Sequence, residues 1–181
     1  STALQWIAEN KLNIHTIYHV LDDFLFISNS KEKCSENLSK FVFLCEELGV
    51  PPAPEKTVGP STVLSFLGIE LDTIAKEARL PKEKLCKCHR EITQLLQQKS
   101  TFLKNLQSVL GFLNFCTCVV PGRAFLRRLI DLTIGVSKPF HHIRLSRETK
   151  EDLRVWLSFL DRYNGKSMFH DKHWGRHNRC G

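Results

Sequence analysis

Asp22 and Asp23 stand side by side between two short apolar runs, residues 14–20 (Ile-His-Thr-Ile-Tyr-His-Val) and 24–27 (Phe-Leu-Phe-Ile). Aspartate disfavours strands, and adjacent carboxylates repel each other. A divalent cation relieves that repulsion, and hard cations such as Mg²⁺ or Mn²⁺ take carboxylate oxygens. Two-metal phosphoryl transfer needs carboxylates that hold two cations about 3.5–4 Å apart. One cation activates an attacking 3′-hydroxyl, and the other steadies the triphosphate and the departing pyrophosphate. An ordinary Asp-Asp turn has the same spacing, so the residues alone leave both readings open.

The elements around the pair read as follows. Leu4, Ile7 and Ala8 fall at helical spacing, giving a helix over 3–12 that Asn13 breaks. The two apolar runs are rich in β-branched and aromatic residues and predict a hairpin with the two aspartates between its strands. Ser30 suits an N-cap, with Lys33 in place of the Glu or Gln of a capping box. The helix it opens runs to Leu48, with Leu38, Val42, Leu44, Cys45 and Leu48 as its apolar face, and Gly49 closes it. Residues 50–54 (Val-Pro-Pro-Ala-Pro) are stiff extended chain, with Lys56 just beyond. Residues 63–71 predict a strand interrupted by Gly68, and 73–80 its return, a second hairpin. From Pro81 the period becomes helical, with helices over 82–98, 102–118, 121–134 and 147–162. Pro81 suits a first turn, Ser100 or Thr101 a cap, and Pro121-Gly122 a break. The chain therefore divides near residue 80 into a β-rich lobe and an all-helical lobe.

The 181 residues are 42% hydrophobic and 25% charged, the balance of a folded chain. The formal net charge is +7, which favours polyanionic partners. Much of it is local: residues 82–128 hold nine lysines and arginines against Glu83 and Glu91. Among them Lys82, Lys84, Lys87, Arg90, Lys104, Arg123, Arg127 and Arg128 form a candidate phosphate-backbone track. Seven cysteines, two pairs of them with one intervening residue, fit neither a zinc knuckle nor a thioredoxin-type motif. Reduced thiols in an intracellular protein, nuclear or cytoplasmic, are expected. No stretch is long and apolar enough to span a bilayer, so no membrane partner is expected. The chain opens inside a helix without an initiator Met, so a piece of a longer protein is expected.

The segment Tyr18-His19-Val20-Leu21-Asp22-Asp23-Phe24-Leu25-Phe26-Ile27 resembles the catalytic palm hairpin of reverse transcriptases. Val20 stands where that family usually has an aromatic residue. Leucine before the two aspartates is most like the tyrosine-recombinase (DIRS-like) retrotransposons. Further segments agree in order. Phe66-Leu67-Gly68-Ile69-Glu70-Leu71 resembles the primer-grip hairpin, and Arg79-Leu80-Pro81 the entry to the thumb. Residues 110–115 and 120–129 resemble later thumb helices. Trp156 and Tyr163-Asn164-Gly165-Lys166 resemble the connection toward an RNase H domain.

The resemblance implies an α+β fold: a partial polymerase palm of two β-hairpins and a helix, followed by an all-helical thumb and connection. It divides the chain into palm (1–80), thumb (81–135) and connection (136–181). It implies an RNA-directed DNA polymerase that works on an RNA/DNA template–primer duplex and dNTPs with Mg²⁺ or Mn²⁺. Asp22 and Asp23 would hold metal, and Phe66, Leu67, Gly68, Ile69 and Glu70 would form the grip. Lys56 lies roughly where the family places a lysine near the nucleotide phosphates, and it also reads as a solvated loop residue. The family's third carboxylate lies on an earlier palm strand, and no strand precedes residue 14. The isolated chain is therefore expected not to polymerise at a useful rate.

Three other readings remain. One is a non-catalytic, basic nucleic-acid-binding module. Another is a purely structural thumb and connection that docks on a chain supplying the fingers. The third is a zinc-binding tail formed by His170, His173, His177 and Cys180. His141 and His142 read as a loop before the last helix, and Cys116 and Cys118 as packing residues.

Overall fold

The computed structural model describes residues 2–164 and the backbone of Ser167–Met168. Residues 165–166 and 169–181, including His170, His173, His177 and Cys180, lie outside the described residues. The chain forms two compact units, Ser1–Leu67 and Gly68–Gly181. Each mixes helices with small antiparallel sheets, an α+β architecture.

The first unit opens with α1 (Thr2–Lys11), followed by β1 (Ile17–Val20) and β2 (Asp23–Phe26). The hairpin is shorter than the apolar run suggests. Ile14 is buried but precedes the strand, and Asp23 is the first residue of β2 instead of a turn residue. The register pairs Ile17 with Phe26 and His19 with Phe24 on one face, and Tyr18 with Leu25 and Val20 with Asp23 on the other. The first face turns inward. Phe41 of α2 (Lys31–Glu47) lies between Phe24, at 4.7 Å, and Phe26, at 5.2 Å. Ala8, Ile14, Ile17, Phe41 and Cys45 are the buried centre.

Ser30 caps α2 as expected, its hydroxyl accepting from Lys33 N–H at 3.2 Å. Gly49 follows with φ +71°, the left-handed residue that ends a helix without a Cβ penalty. The buried stripe is Asn37-Phe41-Cys45, while the expected Leu48 is exposed. A 3₁₀ turn, Pro54–Lys56, and β3 (Val63–Phe66) complete the unit.

The second unit is not all-helical. It starts with β4 (Ile69–Asp72), which pairs antiparallel with β5 (Glu77–Arg79); β8 (Ser167–Met168) pairs with β5. The strand expected over 63–71 is therefore two strands. Leu67 and Gly68 between them both have positive φ, 50° and 76°. A single interruption became a turn because two successive left-handed residues cannot continue a pleat.

Next come α3 (Lys82–Gln97), β6 (Ser100–Phe102), α4 (Leu103–Cys116), a 3₁₀ turn (Arg123–Leu126) and α5 (Arg127–Asp131). Then follow β7 (His142–Arg144) and α6 (Arg147–Tyr163). Pro81 is the N-cap of α3 and not its first turn. Ser100 and Thr101 belong to β6 instead of capping α4, whose N-cap is Phe102. The helix expected over 121–134 is α-helical only at 127–131. His142 lies in β7 and not in a loop.

Leu80, Ile92, Leu106, Leu113, Leu129, Leu153 and Trp156 are among the buried residues of one core. Cys88 and Cys116 are in it too, and the hydrogen bond to Cys116, with burial, pushes the Cys88 thiol up. Cys118, expected to pack, is exposed past the end of α4. Asn164 clasps the end of the small sheet: its side chain accepts from Leu80 N–H at 2.8 Å and donates to Leu80 C=O at 3.2 Å. No described helix is long and apolar enough to cross a membrane.

Candidate nucleic-acid interface

Three groups of residues carry the chemistry read from the sequence, and each sits on its own element. The aspartates lie at the tip of the β1–β2 hairpin. Two anchors set its position. On one side α1 holds it, with Gln5 donating to Ile17 C=O at 3.2 Å and hydrogen-bonding His19. On the other side the Phe24–Phe41–Phe26 stack ties it to α2. Asp22 occupies the turn, and Asp23 shares the outward face with Tyr18 and Val20. Asp22, Asp23, Tyr18 and Val20 are all exposed.

Adjacent carboxylates at an exposed tip supply part of the oxygen donor set of a Mg²⁺ or Mn²⁺ site. Among the described residues no third His, Cys, Asp or Glu joins them. The pair alone does not fit a closed two-metal site. Lys56 ends the exposed 3₁₀ turn and makes no hydrogen bond or ion pair with either aspartate among the described residues. The structure thus places Asp22 and Asp23 side by side at the hairpin tip, with Lys56 on a separate exposed turn.

Of the residues expected to form a primer grip, Phe66 ends β3, and Leu67 and Gly68 form the turn. Ile69 and Glu70 open β4. Ile69 packs on the second unit's core. Glu70 accepts from Arg79 at 2.7 Å, and Asp72 accepts from the same guanidinium at 3.1 Å, so Glu70 stiffens the β4–β5 pair. A Cβ on Gly68 would collide with the Lys84 ammonium and lie 3.5 Å from Phe115. That close approach is what glycine permits here.

The basic track resolves into three kinds of cation. Lys84 sits 4.1 Å over the Phe115 ring, and Lys87 sits 4.9 Å over Phe112 while also pairing with Glu91 at 3.7 Å. These residues step by three along α3 and α4, and the two rings stack within 7° of parallel. Each aromatic face draws an ammonium toward it, so the α3–α4 seam holds two positive charges in fixed places. Arg127 and Arg128 are already engaged, by Asp131 at 3.1 Å and Asp152 at 3.3 Å. Lys82, Arg90, Lys104 and Arg123 are exposed and make no ion pair among the described residues. Sequence reasoning missed the Phe112 and Phe115 partners, although their i, i+3 spacing on an apolar helix was visible.

No protein-family profile matches the chain, and no curated protein matches it. Solved structures do. A foamy-virus protease–reverse transcriptase, in a form designated dRH and in complex with double-stranded DNA, superposes with a TM-score of 0.67. It is 21% identical over 90% of this chain and 27% of its own. The foamy-virus enzyme in complex with an RNA/DNA hybrid gives 0.68, at 21% identity over 91% of this chain and 21% of its own. In complex with double-stranded DNA it gives 0.66, at 21% identity over 93% of this chain and 33% of its own. The fold is reverse-transcriptase-like. The chain spans about a third or less of the length of each of these proteins.

Proposed function

We propose that this chain is a palm-to-connection portion of an RNA-directed DNA polymerase and binds a template–primer duplex through α3 and α4. The observation that carries the reading is the exposed Asp22–Asp23 tip on a reverse-transcriptase-like fold spanning nearly all of the chain. The two ammonium groups held over Phe112 and Phe115, with Lys82 and Arg90 on the same helix, supply the charge that a phosphate backbone needs. The turn at Leu67–Gly68 serves as the primer grip. Gly68 lies against the side chain of Lys84, on the duplex-binding helix. Leucine before the aspartates supports a tyrosine-recombinase (DIRS-like) retrotransposon source.

In the intact enzyme Asp22 and Asp23 contribute two of the carboxylates that hold Mg²⁺ or Mn²⁺, which supplies charge neutralisation for nucleotidyl transfer to an incoming dNTP. Two such ligands hold and place a cation poorly. The isolated chain therefore binds duplex but does not extend a primer at a useful rate. A primer-extension assay with Mg²⁺ or Mn²⁺ tests this. Robust dNTP incorporation that Asp22→Asn abolishes would overturn it.

A second reading, a binding module with no catalytic role, is favoured by the absence of a third ligand among the described residues. It predicts that Asp22→Asn and Asp23→Asn leave every function of the parent protein intact.

A further inference from the structure

The ribbon formed by β6 and β7 carries an exposed aromatic cluster that the duplex-binding reading does not use. Its register pairs Ser100 with Arg144, Thr101 with Ile143, and Phe102 with His142. Side chains alternate across a strand. Thr101 and Ile143 are buried, so Ser100, Phe102, His142 and Arg144 project to solvent. The Phe102 and His142 rings lie 4.4 Å apart, and Phe140 meets Phe102 edge-on at 6.3 Å and 84°.

Phe140 is 75% exposed and Phe102 37%. Single exposed apolar residues are ordinary, whereas three rings joined through Phe102 form a patch. The loop holding Phe140 is tied down, because Leu103 and Lys104 N–H donate to His141 and Pro139 C=O, each at 3.0 Å. A shallow recess of about 180 Å³ adjoins the rings, lined by Gln98, Ser100, Asn105 and His142 among others.

Charge decides what such a patch would hold. Residues 98–107 and 132–146 contain Lys99, Lys104, Lys138 and Arg144 and no Asp or Glu. All four cations are exposed and make no ion pair among the described residues. Aromatic faces amid unpaired cations fit a polyanion with flat, unstacked groups. Single-stranded nucleic acid has both, with bases stacking on the rings and phosphates meeting the cations. A duplex hides its base faces and would use only the charge. The amide side chains of Gln98 and Asn105 in the recess add groups that hydrogen-bond a base edge.

We propose that the Phe102–Phe140–His142 ribbon is a second nucleic-acid site, a stacking platform for single-stranded DNA or RNA distinct from the duplex-binding α3–α4 seam. The inference rests on the reading that the chain binds nucleic acid, and the two sites separate experimentally. The probe is a labelled oligothymidylate of about 16 nucleotides, the upper end of single-strand site sizes, measured beside a duplex of equal length on the full chain. Phe140→Ala should weaken oligothymidylate binding by about tenfold, the effect of losing one stacked base. It should leave duplex binding and the circular dichroism spectrum unchanged. Phe140→Trp should retain single-strand binding.

A Lys82→Ala/Arg90→Ala variant should lose duplex affinity and keep the oligothymidylate. The proposal is overturned if Phe140→Ala binds the oligothymidylate like the parent, if it loses both ligands alike, or if the parent binds no single strand. It is also overturned if sedimentation shows a self-association that Phe140→Ala abolishes while oligothymidylate affinity stays put. That result would make the patch a contact between copies. Loss of duplex binding by the parent, with single-strand binding intact, would instead remove the duplex reading.

Discussion

Val20 and Asp23 face each other across the β1–β2 ladder, which leaves Leu21 and Asp22 as the whole of the turn. Two-residue hairpin turns need left-handed backbone to match the twist of their strands, and they favour Gly, Asn or Asp there. Leu21 instead sits at φ +54°, with its side chain 80% exposed and little packing in return. A Cβ in that region costs about 1–2 kcal/mol. Backbone strain of this size is concentrated at functional sites in proteins generally, and Leu21 lies directly before Asp22. Leu21→Gly should raise stability by about 1 kcal/mol after the added freedom of the unfolded chain is counted. A urea midpoint that rises at unchanged slope would show it. An unchanged or lower midpoint would mean that Leu21 stores no strain.

Gly68 reports on the link between the Leu67–Gly68 turn and α3. At φ +76° any side chain is strained, and a Cβ also enters the space of the Lys84 ammonium. Lysine ends are flexible, so the backbone sets most of the cost. Gly68→Ala should destabilise by about 1–2 kcal/mol. Lys84 should also leave the face of Phe115 and weaken duplex binding. Lys84→Met isolates the second effect, since it removes the charge and leaves the glycine free. Equal duplex affinity for Gly68→Ala and the parent would show that the Lys84 position does not matter to binding.

The parts of the fold with strong local signals were legible in the sequence. Ser30 and Gly49 bracket α2, the shift to helical spacing after Pro81 marks α3, and α6 lies within a residue of its expected span. The Asp22–Asp23 hairpin was legible for the same reason, because β-branched and aromatic residues flank it on both sides. What escaped was set by distant partners. β6 and β7 have three residues each, too few to show a period of two, and they pair across about forty intervening residues. Leu67 gives no sequence sign of a left-handed conformation. Arg128 meets Asp152, 24 positions away, whereas the Lys87–Glu91 pair lies at i, i+4 and could be read directly.

Gly122 is the N-cap of the 3₁₀ turn that precedes α5. Gly122 is buried, and a Cβ there would stand 2.5 Å from the ring of Trp156, which is fully buried itself. The chain thus passes very close to the indole at this point. Trp156 cannot give way without disturbing Leu153, Leu160 and the rest of the core. Gly122→Ala should therefore cost about 1–3 kcal/mol, the range for overpacking a dense interior. Tryptophan near-ultraviolet dichroism should change with it. A loss below about 1 kcal/mol would show that the ring has room to move.

Asp72 should make the β4–β5 hairpin sensitive to acid. The Ala75 N–H, donating at 2.9 Å, chiefly holds its carboxyl below the usual range; burial opposes this, and the Arg79 guanidinium adds to it. A folded-state pKa below the unfolded value contributes stability in full above the unfolded value, near 4, and loses it as pH falls through the depressed one. The Ala75 amide resonance should shift over that acid window. Asp72→Asn keeps the accepting oxygen but not the charge, so it should remove the titration while retaining most of the turn. An acid-induced Ala75 shift that persists in Asp72→Asn would assign the effect to another group.

The division of the basic track into engaged and unengaged cations predicts how binding responds to salt. Each phosphate neutralised on a duplex contributes about −0.9 to the slope of log K against log salt. Arg90 and Lys82 are exposed and without an ion pair among the described residues, so replacing either with Ala should reduce the slope by about 1. Arg127 and Arg128 must first leave Asp131 and Asp152. Their replacement should change the slope by less and the affinity only slightly, since an exposed ion pair is worth little by itself. Lys84 falls between, because its ring partner leaves the charge available to a phosphate, whereas Lys87 also meets Glu91 at 3.7 Å and should behave more like the engaged pair. Fluorescence anisotropy over about 50–200 mM salt resolves these differences. A slope that falls as much for Arg127→Ala as for Arg90→Ala would mean that the Asp131 pair opens on binding and that the track runs on through α5.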